Sequence, residues 1–384
     1  MLDATLTKQS DAALTDEQQD FVQALRDFCE RELDGGRSFG DDPHDDAVAR
    51  QMAELGWYGL EIGEEFGGSG GSFLDATLFL EETTRGRAPI SGYGVTLIVV
   101  GALNRLGTED QKRDLLARVA QGGTLAIAMS EPEAGSDVGA LQCKADREDG
   151  EWVLNGSKMW CSFAHKASHI LIVCRSQRGS DKHEGLSMIF VPRDAEGLTV
   201  TPIPTLGGEE TNELHLDDVR VPEEALLGTE GSGWIQLMAG LNYERVILAA
   251  TALGLAQRAF DDALAYVKER KQFGRPVGSF QAMRHRIADN ATELAATKLL
   301  VHDTARTIDD APEGALFPRE ASMAKLKATE LAKHLSLEGM QMLGGYGYAT
   351  EYGMERLLRL SVVSTVYGGT SEIQRDIIGK TYGL

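Results

Sequence analysis

The spacing of apolar residues changes twice along this chain, and that change constrains the fold more than any other feature of the sequence. Between residues 15 and 121 apolar residues recur with a helical period, and Thr15 with Gln18 predicts a capping box at the first helix. Between residues 125 and 227 the period shortens to two, which is typical of short strands joined by turns. From Gly233 onward the helical period returns. This order argues against the regular strand–helix alternation of a parallel α/β fold.

The middle segment reads as a small antiparallel barrel or sandwich, flanked by a helical region and a helical bundle. Within it, Asn155-Gly156 separates two apolar runs and predicts a hairpin turn. The expected helical segments are Ala47–Leu55, Phe73–Arg85, Val95–Leu106, Glu109–Val119, Trp234–Lys268, Phe280–Ile308, Arg319–Leu343 and a last one after Thr370.

The charge balance limits the classes of partner. Among 384 residues, 38 Lys and Arg stand against 59 Asp and Glu, a net charge of −21. Such a chain repels phosphate backbones and anionic lipid, so neither nucleic acid nor a membrane is expected as a partner. The four cysteines have no zinc-ligand spacing, and no metal site is predicted. With no leader and no apolar run near the roughly 20 residues that span a bilayer, a cytoplasmic location is expected.

Three blocks of sequence carry residue types suited to binding or chemistry. The turn-rich segment Met129–Asp137 leaves backbone N–H groups accessible, so it is either a phosphate cradle or a structural turn. A strand over Gly156–Ser162 would place Trp160 and Ser162 on one face and Cys161 on the other. That face suits a planar ligand with a hydrogen-bonding edge, although core packing is the alternative. The third block lies in the C-terminal half and comprises Arg270–Gly274, Gln281, Gln341–Gly347 and Val366–Arg375.

Taken together, these blocks resemble the acyl-CoA dehydrogenase family of flavoproteins, in the same order and with similar spacing over nearly the whole chain. The resemblance implies an α+β fold with an N-terminal α-helical domain over residues 1–124, a middle antiparallel β-barrel domain over 125–232 and a C-terminal four-helix bundle over 233–384. It also implies FAD as cofactor and a homotetramer built as a dimer of dimers. Such enzymes oxidise an acyl-CoA thioester to the trans-2-enoyl-CoA and pass the electrons to an electron-transfer flavoprotein.

The resemblance also assigns contacts to particular positions. The Met129–Asp137 loop would lie along the flavin and the pyrophosphate, Trp160 would cover the flavin face and Ser162 would bond near its reactive nitrogen. Several residues of the C-terminal half would reach the FAD of a neighbouring subunit. The residues implied at the cofactor are Met129, Ser130, Ser136, Trp160, Ser162, Arg270, Gln272, Phe273, Gln281, Gln341, Gly344, Gly345, Thr370 and Glu372. Those implied at the substrate are Ser136, Asn242, Arg245 and Gly368.

One departure from the family pattern decides where the catalytic base is expected. Most members carry the catalytic glutamate directly after the tyrosine of the last motif, where this chain has Tyr367 followed by Gly368. The isovaleryl-CoA and long-chain enzymes carry it on the first long helix of the C-terminal domain, where this chain has Glu244. Leu241 and Leu248, one turn away on either side, belong to an apolar stripe that would raise the pKa of the Glu244 carboxyl, as a general base requires.

Three functions fit these features. The first is a catalytic acyl-CoA dehydrogenase of fatty acid metabolism. The second is a desaturase of a carrier-protein-bound acyl thioester, which uses the same scaffold and the same chemistry. The third is a non-catalytic subunit of a mixed tetramer, since Gly368 stands at the position that usually carries the base. Reduction of the flavin by an acyl-CoA separates the first function from the other two.

Overall fold

The computed structural model describes residues 14–33, 43–177, 181–312 and 314–384. Its first helix, α1, spans Asp16–Glu32 and begins as expected from the sequence. The hydroxyl of Thr15 accepts a hydrogen bond from the backbone N–H of Gln18 at 3.2 Å, and the Gln18 side chain accepts one from the backbone N–H of Thr15, also at 3.2 Å. The predicted capping box is therefore confirmed.

The other helices follow the predicted segments with small shifts at their ends. A π turn over Lys112–Leu116 interrupts the helix expected over Glu109–Val119. It joins two short helical segments, Glu109–Gln111 and Ala117–Ala120. A helix over Met354–Ser364 is present that the periodicity did not indicate. With that helix included, the long helices after α1 are α2 (Asp46–Glu54), α3 (Phe73–Arg85), α4 (Gly92–Leu106), α5 (Gly233–Glu269), α6 (Gln281–Asp309), α7 (Pro318–Leu343), α8 (Met354–Ser364) and α9 (Ser371–Thr381).

Eight strands form one sheet: β1 (Leu125–Ala128), β2 (Lys144–Glu148), β3 (Glu151–Ser162), β4 (His169–Arg175), β5 (Leu186–Pro192), β6 (Leu198–Pro202), β7 (Thr211–Pro222) and β8 (Leu226–Leu227). They pair in the order β6-β7-β3-β2-β4-β5-β8, and β1 pairs with β4. A short hairpin of β9 (Lys271–Gln272) and β10 (Arg275–Pro276) follows α5.

The predicted α+β class is confirmed, but the antiparallel barrel needs two corrections. β1 and β2 both run parallel to β4, so the sheet is mixed. Within the described residues no pairing joins β6 to β8, so the sheet is open. The parallel pairing of β1 with β4 is possible because the chain passes through β2 and β3 between them, which gives it the length to return in the same direction.

The hairpin expected at Asn155-Gly156 is wrong. β3 continues through both residues, and its register with β7 shifts between Leu154 and Gly156, so this point is a bulge. The Asn155 side chain instead exchanges two hydrogen bonds of 2.9 Å with the side chain and backbone of Asp218. The hairpin between β2 and β3 turns at Asp149-Gly150, where both residues have positive φ, 52° and 84°.

Internal contacts divide the chain into two compact units. The helical unit comprises Met1–Asp41, Ser72–Ala88 and Arg245–Leu384, and the sheet unit comprises Asp42–Gly71 and Pro89–Glu244. The three-part division at residues 124 and 232 stays a prediction.

Each unit has its own apolar interior. In the helical unit the core is rich in alanine on α5, at Ala249, Ala252, Ala256 and Ala259, a spacing that lines one helix face. In the sheet unit Leu171 and Val173 of β4 belong to one core cluster, whereas Ile170 and Ile172 belong to another. Both faces of the sheet are therefore covered, which explains the continuous apolar run of β4.

Candidate active site

Glu244 lies on α5 at the end of the sheet unit, and its side chain is buried, with 7% of the residue exposed. The residue lines a cavity of about 20 Å³ whose walls come from α4, β1, β4, β5 and the first turns of α5. The cavity-lining residues are Ile98, Ala102, Arg105, Ile127, Leu171, Met188, Gln236, Leu237, Gly240, Leu241 and Glu244. A carboxylate in a mostly apolar cavity is costly to keep charged, so this position matches the environment expected of the base.

The two substrate positions beside Glu244 differ in burial. Asn242 is 4% exposed, whereas Arg245 is half-buried. Between them Tyr243 presents its ring to the guanidinium of Arg105, 4.8 Å from the ring centroid. A side chain at Gly240 would put its Cβ 2.8 Å from Nη2 of Arg105, so this glycine leaves room for the cation.

The Met129–Asp137 loop is tied to the sheet by one buried carboxylate. Glu131 accepts hydrogen bonds from the backbone N–H of Gln142 at 2.7 Å and of Cys143 at 2.9 Å. Its Oε1 atom also lies 2.7 Å from Nζ of Lys158, a residue of β3 that is fully buried. The loop is therefore held from two directions by groups shielded from water.

Lys158 connects this carboxylate to the loop backbone. Its ammonium donates a second hydrogen bond to the carbonyl of Met129 at 3.0 Å. One residue further along β3, the backbone N–H of Met159 donates to the carbonyl of Ser130 at 2.9 Å. The carbonyls of Met129 and Ser130, two positions expected at the cofactor, are thus each held by one donor of the strand that leads to Trp160.

Trp160 occupies a strained backbone conformation for a non-glycine residue, with φ of 63°. The register of β3 with β7 shifts between Lys158 and Cys161, and the indole of Trp160 is 54% exposed. Ser162 is half-buried, whereas Cys161 is buried, and burial raises the pKa of its thiol to about 12. A Cβ-bearing residue held at positive φ with a large exposed ring is typical of a functional position.

Ser136, expected at both cofactor and substrate, lies exposed on the same loop. Its neighbour Asp137 forms an ion pair of 2.7 Å with Lys182. Ser136 is therefore accessible to a ligand, and its assignment stays a prediction.

A larger cavity, of about 530 Å³, opens on the helical unit. It brings together four of the residues expected at the cofactor, Arg270, Gln272, Gly344 and Gly345. The guanidinium of Arg270 lies 5.3 Å from the ring centroid of Tyr346, which the motif contained but which was not assigned a role. The other lining residues are Tyr266, Val277, Met342, Leu343 and Ala349.

The remaining expected residues of this region lie outside the lining of that cavity. Phe273, at the tip of the β9–β10 hairpin, is 93% exposed and has φ of 52°. Gln281, the first residue of α6, and Gln341, near the end of α7, are exposed as well. Exposure of an aromatic side chain and two amides on one chain is compatible with the expected contacts to a neighbouring subunit.

The last motif forms a tight turn before α9. Gly368 and Gly369 both have positive φ, 60° and 81°. The side-chain amide of Gln374 donates to both of their carbonyls, at 3.0 and 2.9 Å, and the buried ammonium of Lys325 donates to the carbonyl of Gly369 at 2.8 Å. These donors fix the turn because they occupy its carbonyl oxygens.

Thr370 and Glu372 follow at the start of α9. Thr370 is the N-cap, and its hydroxyl accepts from the backbone N–H of Ile373 at 3.3 Å. Glu372 is exposed, and hydrogen bonds from its own backbone N–H and from Thr370 lower the pKa of its carboxyl. Both side chains therefore hydrogen-bond within the first turn of α9, and their contacts with the cofactor stay predictions.

Sequence reasoning missed the residues that hold these segments in place. Glu131 and Lys158 stand in the quoted motifs, but they are 27 positions apart, and nothing local shows that they meet. Lys325 lies 44 positions before the carbonyl it contacts. The signal in the sequence that could have found Lys158 and Lys325 is a lysine within a mostly apolar segment. Because an unpaired buried lysine is rare, such a lysine indicates a buried partner.

Models of acyl-CoA dehydrogenase domains match almost the whole chain: the N-terminal domain at residues 15–123, the middle domain at 126–219 and the C-terminal domain at 231–383. The fold and the site thus define a flavin-dependent oxidoreductase. The chain belongs to the acyl-CoA dehydrogenase family, whose cofactor is FAD, and the resemblance drawn from the sequence is confirmed.

Individual relatives support this assignment over the full length. The chain is 37% identical to "Probable acyl-CoA dehydrogenase YngJ" of Bacillus subtilis, over 96% of this chain and 98% of the relative. It is 34% identical to the mitochondrial isovaleryl-CoA dehydrogenase of Arabidopsis thaliana, over 97% and 93%. The crystal structure of acyl-CoA dehydrogenase from Geobacillus kaustophilus superposes with a TM-score of 0.90 at 32% identity, over 97% and 99% of the two chains.

The residues present fit FAD. The cavity of the helical unit has the volume of a ligand site, about 530 Å³, and supplies one guanidinium for a pyrophosphate. Nothing lies within 4 Å of a Cβ placed on Gly344 or Gly345, so the backbone there is open to close approach by a ligand. In the sheet unit Trp160 offers an exposed aromatic face. Across the described residues no helix is long and apolar enough to cross a membrane.

Proposed function

We propose that this chain catalyses the FAD-dependent α,β-dehydrogenation of an acyl-CoA thioester, with Glu244 as the base. The observation that carries the proposal is the buried carboxylate of Glu244 in the wall of a mostly apolar cavity. At the alternative position of the family the chain has Gly368, which has no side chain that could remove a proton. Glu244 is thus the carboxylate to which the reaction is assigned.

Residues expected at the cofactor would hold FAD. Trp160 would cover the ring and Ser162 would donate to its edge, whereas Arg270 would neutralise the pyrophosphate of the FAD of a neighbouring subunit. When bound, FAD supplies the acceptor for the hydride that leaves the β carbon of the substrate. The mostly apolar residues around Glu244 would limit the water near its carboxylate, which strengthens electrostatic interactions there.

Proton removal is the task of Glu244. Its carboxylate would take the α proton, whose acidity increases when the thioester carbonyl accepts hydrogen bonds. The backbone N–H of Gly368 is the donor that we assign to that carbonyl, because a backbone donor does not depend on a side chain. The clamp of Lys325 and Gln374 on the carbonyls of this turn would keep that N–H preorganised.

The proposal extends to the partners and the assembly. An electron-transfer flavoprotein would reoxidise the enzyme, and four copies of the chain would form a dimer of dimers. The exposure of Phe273, Gln281 and Gln341 supports such an assembly, since these residues are the ones expected to contact the FAD of a neighbouring subunit. The cytoplasmic location inferred from the sequence stays a prediction.

The test is Glu244→Gln, which keeps the size and polarity of the side chain but removes its basicity. Loss of a general base costs about 10²–10⁴ in rate. We therefore expect anaerobic flavin reduction by a panel of acyl-CoAs to slow by that factor, while thioester binding persists. Glu269→Gln, an exposed position at the end of the same helix, is the matched control and should reduce its flavin at the parent rate.

A second variant tests the position of the base. Gly368→Glu added to Glu244→Gln should recover part of the rate, and the recovery should be incomplete because φ of 60° at Gly368 is unfavourable for a side chain. If Glu244→Gln reduces its flavin as fast as the parent, Glu244 is not the base. If the parent is reduced by no acyl-CoA but is reduced by the corresponding carrier-protein thioester, the carrier-protein desaturase replaces this proposal.

A further inference from the structure

The cavity beside Glu244 also bears on which acyl group the enzyme accepts. With Glu244 as the base, the α carbon of the substrate must lie within hydrogen-bond reach of its carboxylate. The acyl chain beyond the β carbon then extends into the space that Glu244 lines. The length of chain that this space admits is therefore a property of the cavity walls.

The cavity is small. Its volume of about 20 Å³ exceeds the minimum that holds one water, about 10–15 Å³, by little. One water occupies about 30 Å³ in the liquid, so the cavity corresponds to roughly one heavy atom with its hydrogens. A chain of eight carbons would need several times that volume beyond its β carbon.

The walls belong to the buried interior of the sheet unit. Leu171, Met188 and Leu237 are at most 6% exposed and belong to one core cluster of the sheet unit. Interiors of this kind are close-packed, and adding atoms to them forces side chains out of their preferred rotamers. Met188 is the most adaptable of the three because its side chain is unbranched.

Two polar groups further restrict an apolar chain. The side-chain oxygen of Gln236 is buried and has no hydrogen-bond partner among the described residues, and the guanidinium of Arg105 lines the same cavity. A long alkyl chain would cover both groups without bonding either of them, which is unfavourable. The small volume of the cavity and the polar groups in its wall therefore both disfavour a long acyl chain.

We propose that the substrate is a short acyl thioester, with three or about four carbons in its longest chain, and that Leu237 and Met188 set this limit. The inference rests on the proposed function, because it takes Glu244 as the base. The inference concerns the length of the acyl group, whereas the proposed function concerns the reaction. An experiment can therefore contradict either one without the other.

The first experiment measures binding without turnover. S-alkyl thioethers of coenzyme A with three, four, six and eight carbons lack the thioester carbonyl and cannot be dehydrogenated. Isothermal titration calorimetry on the flavin-loaded parent should give the lowest Kd for the three- and four-carbon compounds. A rejected methylene in an apolar pocket costs about tenfold or more, so the eight-carbon compound should bind at least tenfold more weakly.

The second experiment enlarges the cavity. Leu237→Ala and Met188→Ala should improve binding of the six- and eight-carbon thioethers, and flavin reduction by six- and eight-carbon acyl-CoAs, at least tenfold relative to the four-carbon compounds of each kind. Leu103→Ala is the matched control: Leu103 is fully buried in the same core cluster but does not line the cavity. Flavin content and thermal midpoint confirm that each variant is folded.

The outcomes separate the two proposals. Equal or tighter binding of the eight-carbon compound by the parent overturns the length limit, whatever the reaction. A shift in chain-length preference that Leu103→Ala shares with Leu237→Ala overturns the assignment of the walls. Length-dependent binding without any flavin reduction by acyl-CoA supports the length limit and refutes the proposed function.

Discussion

Replacing Lys158 by Met tests whether the buried pair with Glu131 holds the cofactor loop. The ammonium of Lys158 is fully buried, 2.7 Å from the carboxylate of Glu131 and 3.0 Å from the carbonyl of Met129. Its removal leaves a buried carboxylate without its counter-charge, which costs about 3–5 kcal/mol. For a unit of 150–250 residues each kcal/mol lowers the midpoint by about 2–4 °C, so Lys158→Met should melt about 6–20 °C below the parent.

A double variant separates the charge from the position. Glu131→Gln combined with Lys158→Met removes both charges and should regain most of the lost stability, since neutral replacement of a buried ion pair is often tolerated. Lys144→Met is the matched control, because Lys144 forms an exposed pair with Asp146 at 3.1 Å, and such pairs contribute less than about 1 kcal/mol.

The assay combines thermal unfolding with the ratio of flavin to protein after gel filtration. Because Lys158 holds the carbonyl of Met129 and lies two residues before Trp160, the double variant should stay folded yet retain less FAD than the parent. If Lys158→Met melts within about 2 °C of Lys144→Met, the pair does not stabilise the sheet unit. If the stable double variant keeps a full complement of FAD, the pair does not position the loop.

Two further predictions concern the helical unit. Arg270→Ala should lower the amount of flavin that the protein retains. Arg284, an exposed arginine of α6, is the matched control, and Arg284→Ala should retain as much flavin as the parent. Equal flavin content in the two variants would contradict the assignment of the cavity to the cofactor. Burial alone would raise the pKa of the Glu81 carboxyl, but the charges of Lys298 and His302 outweigh it and lower that pKa. This contribution to stability is present above pH 4.5 and is lost as the pH falls further. The melting temperature of Glu81→Gln should therefore fall less steeply below pH 4.5 than that of the parent. Parallel plots of melting temperature against pH for the two proteins would refute this role of Glu81.

Sequence alone predicted the features that depend on neighbours close in the chain. The capping box of Thr15 involves residues three positions apart, so its hydrogen bonds follow from local pattern, and a helix begins after Thr370 as predicted. Helix α3, Phe73–Arg85, has its predicted bounds, and a capping box between Ser72 and Asp75 lies at its start.

The errors arise where distant residues override the local pattern. Asn155-Gly156 has the composition of a hairpin turn, but Asn155 bonds to Asp218, 63 positions away, and the pair becomes a bulge within β3. Asp149-Gly150, six residues earlier, makes the turn. Choosing between two similar dipeptides requires the register with β7, which no local pattern contains.

The same limit applies to the candidate site. The exposed or motif-bearing groups, such as Glu244, Trp160 and Arg270, could be assigned from the resemblance because they stand inside motifs. The side chains that hold them could not, since Lys158 and Lys325 act on backbone carbonyls that lie 29 and 44 positions away. Their contribution depends on the fold being formed.

Two of the buried lysines, Lys158 and Lys325, perform the same physical task in a chain whose net charge is −21. Lys158 and Lys325 are each fully buried, and each donates to the carbonyl of a loop residue, Met129 in one unit and Gly369 in the other. Burying an ammonium costs several kcal/mol, so hydrophobic residues in place of the whole buried polar group, Glu131 included in the case of Lys158, would stabilise either core at lower cost. What a hydrophobic residue cannot do is fix a carbonyl and thereby the direction of the peptide that carries it. The free-energy cost of burying each lysine is therefore explained if binding needs the backbone orientation beside it. The proposed roles of the Met129–Asp137 loop and of the Gly368 N–H require such an orientation.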